Sequence, residues 1–295
     1  MNGFLNLLKP PGMSSGSCAA LVKRLTRERV GHAGTLDPEA AGVLPIMVGR
    51  ATRLLDFLPD KSKSYVAEIA FSGATDTQDA QGRITEAGRR VPERREIEAV
   101  LDRFRGVILQ CPPAYSALKR DGVPLYALAR QGIAVETKAR ETVIRSLELG
   151  ERTGTDGYML FIDCGSGTYI RTLCHDIGQA LSAPAHMRFL LRTRHGAFDI
   201  QESITVEEVL AAGEAGALES LLLPLDHPLQ ALPELRLSEA YWKAGRNGGK
   251  LPARLLPELE EAAACRVYAE DTFLGVAHRE ELIIRFDVGL TGGRS

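Results

Sequence analysis

The sequence has few of the features on which metal, redox and membrane chemistry depend. Its five cysteines are scattered without a CxxC pair, so reduced thiols are the default and a zinc site is not expected. No Walker or Rossmann glycine pattern is complete. No apolar run approaches the roughly 20 residues of a membrane helix, and the N-terminus lacks the basic leader of a signal peptide. We therefore expect a cytoplasmic protein that uses no metal and no cofactor.

Positive charge is not in excess either, and the charge is unevenly distributed. The net charge is −2, which taken alone argues against a nucleic-acid partner. However, residues 1–195 carry 27 Lys and Arg against 21 Asp and Glu, whereas residues 196–295 carry 9 against 17. Because phosphate binding depends on the local field rather than on the total charge, the first part of the chain is compatible with a basic RNA-binding face.

Length and composition predict a globular protein with one large domain and one smaller domain. The 295 residues are 44% hydrophobic and 25% charged, which is enough to build a sizeable core. Hydrophobic periodicity predicts secondary structure along the whole chain. The principal predicted elements are helices at 16–27, 94–104 and from Tyr169, and strands at 4–8, 65–71, 141–149 and 157–164.

The densest pattern is a run of glycine and proline around one carboxylate, Gly31-His-Ala-Gly-Thr-Leu-Asp-Pro-Glu-Ala-Ala-Gly-Val-Leu-Pro45. Glycine permits backbone angles that other residues avoid, and Pro38 biases Asp37 away from helix. An apolar run from Val43 to Val48 follows. The pattern therefore predicts a carboxylate on a constrained backbone at the edge of a core. An ordinary Asx-Pro turn is the alternative for an isolated Asp-Pro pair.

Two other stretches suggest anion binding. Gly167-Thr-Tyr-Ile-Arg171 begins a predicted helix, and Arg171 falls in its first turn, where a cation opposes the helix dipole and indicates an anionic partner. Residues 111–140 mix Pro, Gly, Tyr and basic residues, a composition that suits a protruding arm with aromatic and cationic contacts to RNA. Tyrosines buried under a loop are the alternative for that segment.

These stretches resemble motifs of the TruB family of pseudouridine synthases. The run around Asp37 is similar to the family's catalytic motif. Its matching positions are Gly31, His32, Gly34, Thr35, Leu36, Asp37, Pro38, Gly42, Leu44 and Pro45. The N-terminal turn at 9–15, the block at 167–171 and the arm at 111–140 resemble the family's N-terminal motif, second signature and RNA-binding thumb.

A third block, from Ala185 to Phe198, also resembles the family but departs from it at one position. The family usually has two arginines after the leucine that aligns with Leu190. This chain has Leu191 and then Arg192, so one cation is absent.

The resemblance implies an α+β fold. Residues 1–228 would form a pseudouridine synthase catalytic domain, with a mixed, largely antiparallel sheet, flanking helices and the thumb arm at about 111–140. Residues 234–295 would form a small β-rich PUA-like domain. The implied activity is isomerisation of uridine to pseudouridine at position 55 in the T loop of tRNA, by a monomer that binds the T-arm. A synthase acting on another RNA and a non-catalytic RNA chaperone or assembly factor are the alternatives.

The resemblance also implies roles for individual residues. Asp37 is the expected nucleophile, and Arg171 its ion-pair partner, which we expect to hold the pKa of Asp37 down. Tyr65 would stack on the uracil or take part in proton transfer. The other expected substrate residues are His32, Tyr169 and Leu190. The expected RNA contacts are Lys9, Tyr115, Lys119, Tyr126, Arg130 and Arg192. Whether Asp37 attacks the sugar, attacks the base or abstracts a proton remains open.

Overall fold

The computed structural model describes residues 1–113 and 137–290, together with the backbone of two short strands at 119–120 and 123–124. The helices are α1 (Ser15–Thr26), α2 (Arg94–Leu101), α3 (Ile170–Ala180), α4 (Val206–Glu214) and α5 (Glu239–Arg246). The first strands are β1 (Gly3–Lys9), β2 (Val30–His32), β3 (Ala41–Val48), β4 (Lys63–Ala70), β5 (Gly73–Thr75), β6 (Ile84–Ala87), β7 (Gly106–Gln110), β8 (Lys119–Arg120) and β9 (Val123–Pro124). The later strands are β10 (Arg140–Thr153), β11 (Gly157–Cys164), β12 (His186–His195), β13 (Phe198–Asp199), β14 (Glu234–Leu237), β15 (Leu251–Pro252), β16 (Ala264–Ala269), β17 (Thr272–Glu280) and β18 (Ile283–Gly289).

The large sheet has nine strands in the described part of the chain. Its main path runs β1-β3-β12-β4-β11-β10-β7, with β2 paired to β3 and β13 paired to β12. The β3–β12 pair is parallel, and every other pair along the path is antiparallel. The prediction of a mixed, largely antiparallel sheet with helices is therefore confirmed. Strands β4 and β12 lie near the centre, which brings residues from distant segments side by side.

Helices α1 to α4 pack on this sheet through their apolar faces. Helix α3 buries Leu173 and Ile177, and α2 buries Ile97 and Leu101, in one cluster with residues of β4, β11 and β12. Helices α1 and α4 pack with residues of β1 and β3 in a second cluster. None of the helices in the described part of the chain has both the length and the apolar run that crossing a bilayer requires.

The C-terminal unit is a second sheet, with the strand order β14-β16-β17-β18-β15. It packs against the first part of the chain: Val276 and Val288 share an apolar cluster with Phe4 of β1 and with Leu54. The side chain of Arg53 also donates a hydrogen bond to the carbonyl of Gly289 at 2.8 Å. The small β-rich unit was expected here, and the domain limits 1–228 and 234–295 stay a prediction.

Gly42 lies where β3 and β12 run parallel, opposite Arg192. Its φ is +115°, and a Cβ atom there would lie 2.1 Å from the carbonyl oxygen of Arg192. Glycine is required by both the backbone angle and the close approach of the two strands. The centre of the sheet therefore depends on this one residue, five positions after Asp37.

We expect Gly42→Ala to lower the free energy of unfolding by about 3 kcal/mol or more, because it adds a backbone clash to the strain of a positive φ. Gly154→Ala is the matched control, since Gly154 has φ +52° and no atom within 4 Å of its Cβ position. That control should lose roughly 1 kcal/mol. Urea unfolding of both variants measures the difference, and equal losses would contradict the close-approach argument.

Candidate active site

Asp37 lies in the loop that joins β2 to β3. Leu36, the residue before Asp37, is held by the hydroxyl of Ser15 at the start of α1, which bonds both its carbonyl and its N–H. This hydroxyl donates to the carbonyl of Leu36 at 3.1 Å and accepts from the N–H of Leu36 at 2.9 Å. Buried backbone groups need such partners, and a loop without a regular ladder must find them in side chains. Ser15 was not among the predicted site residues, because its role depends on this tertiary contact.

Lys9 holds the other side of the loop. Its Nζ donates to the carbonyls of Pro10 at 2.8 Å, Met13 at 2.6 Å and Pro38 at 2.8 Å. The side chain is 0% exposed. The prediction that Lys9 contacts RNA is therefore wrong for this structure: the cation is buried and anchors the residue that follows Asp37.

Arg192 corrects a second prediction in the same way. Its Nε donates to the carbonyl of Val43 at 2.7 Å, and one of its terminal nitrogens donates to the carbonyl of Gly34 at 2.9 Å. It is also 0% exposed. Two nitrogens of this buried guanidinium donate to carbonyls of the loop, so Arg192 supports the Asp37 loop from β12 and presents no surface to RNA.

The ion pair expected between Asp37 and Arg171 is present. The Nε of Arg171 lies 3.0 Å from one carboxylate oxygen of Asp37, and a terminal nitrogen donates to the other oxygen at 3.2 Å. The Arg171 side chain is 7% exposed and that of Asp37 is 36% exposed. This two-point geometry fixes the orientation of the carboxylate, which a single lysine contact would leave free.

Asp79 is a second partner of Arg171 that was not among the predicted site residues. Its carboxylate lies 3.4 Å from a terminal nitrogen of Arg171, which also donates to the carbonyl of Thr77 at 3.2 Å. Asp79 accepts from the Thr77 hydroxyl at 2.6 Å as well. Its local sequence is that of a polar turn. The one available signal was the cation in the first turn of α3, which indicates a need for negative charge.

The pKa of Asp37 differs from the expectation. Burial raises it above the ordinary aspartate value, Arg171 lowers it, and the neighbouring Asp79 raises it again. Together these effects raise the pKa of Asp37. Arg171 does lower this pKa, as predicted, but the prediction that the pKa lies below its ordinary value is wrong. Removing water from a carboxylate here outweighs the attraction of one shared guanidinium.

A cavity of about 330 Å³ opens beside this pair, in the lower part of the range of small-molecule sites. The predicted residues Tyr65, Tyr169 and Leu190 line it together with Asp37 and Arg171. The full lining is Gly34, Thr35, Leu36, Asp37, Lys63, Tyr65, Gly167, Thr168, Tyr169, Ile170, Arg171 and Leu190. Lys63 was not predicted, although its position two residues before Tyr65 on one strand face was a usable signal.

Tyr65 and Tyr169 are held differently. Burial raises the pKa of the Tyr65 hydroxyl to about 12, while the guanidinium of Arg192 pulls in the opposite direction. The backbone of Tyr169 is held by the side chain of Gln110, which donates to its carbonyl at 3.2 Å and accepts from its N–H at 3.0 Å. Gln110 was not predicted either. Because it is the last residue of β7, it joins the base of the 111–140 segment to the cavity wall.

The remaining predicted residues are not brought into the cavity by the described part of the structure. His32 ends β2, is half-buried and is not among the described residues that line the cavity. Burial and the nearby Arg192 lower its pKa, so its imidazole is neutral at pH 7. The predicted RNA contacts Tyr115, Lys119, Tyr126 and Arg130 lie outside the residues whose side chains the structure describes, and they stay predictions.

Comparison with known families agrees with this geometry. The model of the TruB family pseudouridylate synthase N-terminal domain matches residues 23–170. The model of the tRNA pseudouridylate synthase B C-terminal domain matches residues 171–230. The chain belongs to the TruB family. It is therefore a pseudouridine synthase, an isomerase. Both matches end before β14, so the PUA-like assignment of the C-terminal unit stays a prediction.

Individual relatives and structures cover most of the chain. The tRNA pseudouridine synthase B of Pelotomaculum thermopropionicum is 40% identical over 287 residues, covering 94% of this chain and 91% of the relative. That of Syntrophomonas wolfei is 43% identical over 291 residues, covering 93% and 97%. A chain in the crystal structure of a Cbf5–Nop10–Gar1 complex aligns with a TM-score of 0.74 at 26% identity, covering 97% of this chain and 84% of that chain.

Within residues 1–113 and 137–290, no three His, Cys, Asp or Glu side chains are grouped so that they could hold a metal ion. The absence of a metal and of a cofactor from the reaction stays a prediction. The groups that line the cavity are acids, bases, aromatic rings and backbone, which suit acid–base and nucleophilic chemistry.

The pH dependence should report the balance of charges on Asp37. The carboxylate must be ionised to act, so the rate should fall as the pH falls through its pKa, at a pH above the ordinary value of about 3.9. Asp79→Asn removes an anion that raises this pKa. The acid limb of the single-turnover rate profile should therefore move to lower pH.

Glu39→Gln is the control for that experiment, because Glu39 is exposed and lies in the same loop. Its acid limb should coincide with that of the unsubstituted enzyme. An acid limb that moves to higher pH in Asp79→Asn would contradict the assignment of Asp79 as a charge that opposes ionisation of Asp37.

We expect Lys9→Met to lower the free energy of unfolding by about 3 kcal/mol, because three carbonyl oxygens lose their buried donor. Lys23→Met is the control, since Lys23 is exposed on α1 and its loss should matter little. Thermal and urea unfolding measure both. A stable Lys9→Met variant whose RNA binding has become less salt-dependent would show instead that Lys9 contacts phosphate.

Proposed function

We propose that this enzyme converts uridine to pseudouridine at position 55 in the T loop of tRNA, with Asp37 as its catalytic carboxylate. The observation that carries the proposal is the two-point pairing of Asp37 with Arg171 at the wall of a cavity that also contains Tyr65. Relatives named tRNA pseudouridine synthase B, at 40% and 43% identity over most of the chain, support the choice of substrate.

The reaction breaks the bond from uracil N1 to ribose C1′ and forms a bond from C5 to the same carbon. C5 loses a proton and N1 gains one, so the step is balanced without an oxidant or a second substrate. The target base must first leave its stack, which costs a few kcal/mol. The aromatic and aliphatic walls provided by Tyr65, Tyr169 and Leu190 replace part of that stacking.

Asp37 is the carboxylate that such a reaction needs. As an ionised group it can attack the sugar, attack the base or remove a proton from the sugar, and its pairing with Arg171 holds it in one orientation for each of these steps. The raised pKa increases its basicity, provided that the pH is high enough to keep it ionised.

The pKa of Tyr65 supports stacking over action as a free base. Burial raises the pKa of its hydroxyl to about 12, so the phenol keeps its proton at pH 7. The neutral ring is nevertheless well placed against a flat base, since it is buried in the cavity wall on β4. Its hydroxyl can still relay a proton if it gives up its own in the same step.

The wider setting is part of the proposal. The enzyme would act as a cytoplasmic monomer on the T-arm of tRNA, without metal or cofactor. The segment at 111–140 would close on the RNA through Tyr115, Lys119, Tyr126 and Arg130. The catalytic domain would extend over 1–228, and the PUA-like unit over 234–295.

We expect Asp37→Asn to reduce product formation by at least a thousandfold, because the amide is neither a nucleophile nor a base. Tritium release from a T-arm RNA labelled at uracil C5 measures the reaction. Asp56→Asn is the control, since Asp56 is exposed outside the cavity, and it should retain full activity. Normal turnover by Asp37→Asn would refute the central assignment.

Mapping the product in tRNA tests the position. Pseudouridine at a uridine other than 55 would contradict the T-loop substrate. Release of free uracil would instead indicate a hydrolase. If Asp37→Asn still promotes the folding of tRNA, a chaperone role exists beside the catalytic one.

A further inference from the structure

We propose that Lys63 binds a backbone phosphate next to the flipped uridine, at the mouth of the cavity. The inference deepens the proposed function and rests on it, because it needs an RNA whose target base enters the cavity. It assigns a ligand to Lys63, which lines the cavity but has no role in the proposed reaction.

Lys63 is placed beside the route by which RNA must enter. It is the first residue of β4, two positions before Tyr65, and both side chains line the cavity. It pairs with Cys164 of β11, and so lies next to the turn that leads to α3. Gly167 in that turn also lines the cavity, and no atom lies within 4 Å of its Cβ position. The cavity wall is therefore open at Gly167.

The charge of Lys63 has no anionic partner within the described ranges. Its Nζ donates one long hydrogen bond, at 3.4 Å, to the carbonyl of Lys61. Burial lowers its pKa and repulsion from Arg192 lowers it further, and these effects outweigh the opposite influence of Cys164 and Asp60, neither of which forms an ion pair with Lys63. A partly buried cation of this kind is unfavourable until an anion arrives.

The other cations near the cavity already have partners. Arg171 is committed to Asp37 and Asp79. Lys9 and Arg192 are fully buried and donate to backbone carbonyls of the Asp37 loop. Among the cavity-lining cations that the structure describes, Lys63 is the one without a carboxylate, and so it is the one available to RNA.

The position of the Nζ favours a phosphate over the base. When a nucleotide is flipped, the base enters the pocket and its flanking phosphates remain outside with the backbone. The hydrogen bond from Lys63 to Lys61 lies on the exposed side, and Lys61 itself is exposed. The charged end of this cavity-lining residue is therefore directed toward solvent, where a lysine acts as a point charge for phosphate.

Salt-dependent binding tests the contact. A T-arm stem-loop RNA is titrated into Asp37→Asn enzyme, which prevents turnover, with and without Lys63→Gln. Loss of one phosphate contact should weaken binding roughly tenfold at low salt, and should reduce the slope of log Kd against log salt by about 0.7 to 0.9. Lys63→Arg keeps the charge and should keep the slope. Lys61→Gln is the matched control, because Lys61 is exposed and does not line the cavity.

Neutral linkages identify the phosphate directly. A methylphosphonate is placed on the 5′ or the 3′ side of the target uridine. In the enzyme that retains Lys63, one of the two linkages should weaken binding by the same factor as Lys63→Gln does. Combining that linkage with Lys63→Gln should weaken binding no further. In Lys61→Gln the full linkage effect should remain. The side that responds assigns the phosphate.

Three results would overturn the proposal. The first is equally tight binding of normal RNA and of both methylphosphonate RNAs by the enzyme that retains Lys63. This result does not depend on any substitution at Lys63. The second is full additivity of Lys63→Gln with both linkages. The third is a Lys63→Gln enzyme with unchanged binding and slower single turnover, which would place the cation on the base. Failure of the proposed function is seen separately, as no tritium release by the unsubstituted enzyme.

Discussion

The structure depends on keeping one carboxylate usable in a cavity where the protein displaces part of its water. A buried carboxylate is unfavourable unless a cation and hydrogen-bond donors meet it. Arg171 does both for Asp37 through two nitrogens of one planar group. Asp79 and the carbonyl of Thr77 occupy another nitrogen of the same group and fix its plane. Burial raises the pKa of Asp37 more than this shared guanidinium lowers it, which leaves the carboxylate basic.

The same constraint explains the buried cations behind the loop. A loop rich in glycine and proline cannot satisfy its carbonyls with a regular ladder, and unpaired buried carbonyls are unfavourable. Lys9 and Arg192 supply donors from β1 and β12, on either side of Asp37. Their charge serves the backbone of the protein. In this structure neither cation presents a surface to RNA.

Several of the predicted residues that line the cavity together belong to long local motifs. Asp37, Arg171 and Tyr169 come from blocks of adjacent residues, and the fold brings these blocks together as the resemblance implied. Asp79 and Gln110 were missed because each contacts a partner far away in sequence. Asp79 has the local pattern of a turn, and only its contact with Arg171, 92 positions away, gives it a role in the site.

The sequence by itself determined the main helices and strands, the constrained loop around Asp37 and the membership of the chain in its family. These follow from periodicity, from glycine and proline, and from motifs that are local in the chain. Only the tertiary structure decided that Lys9 and Arg192 are buried and that the pKa of Asp37 rises. Burial and the electric field at an atom depend on all of its neighbours in space. The guanidinium that pairs with Asp37, that of Arg171, lies 134 positions along the chain.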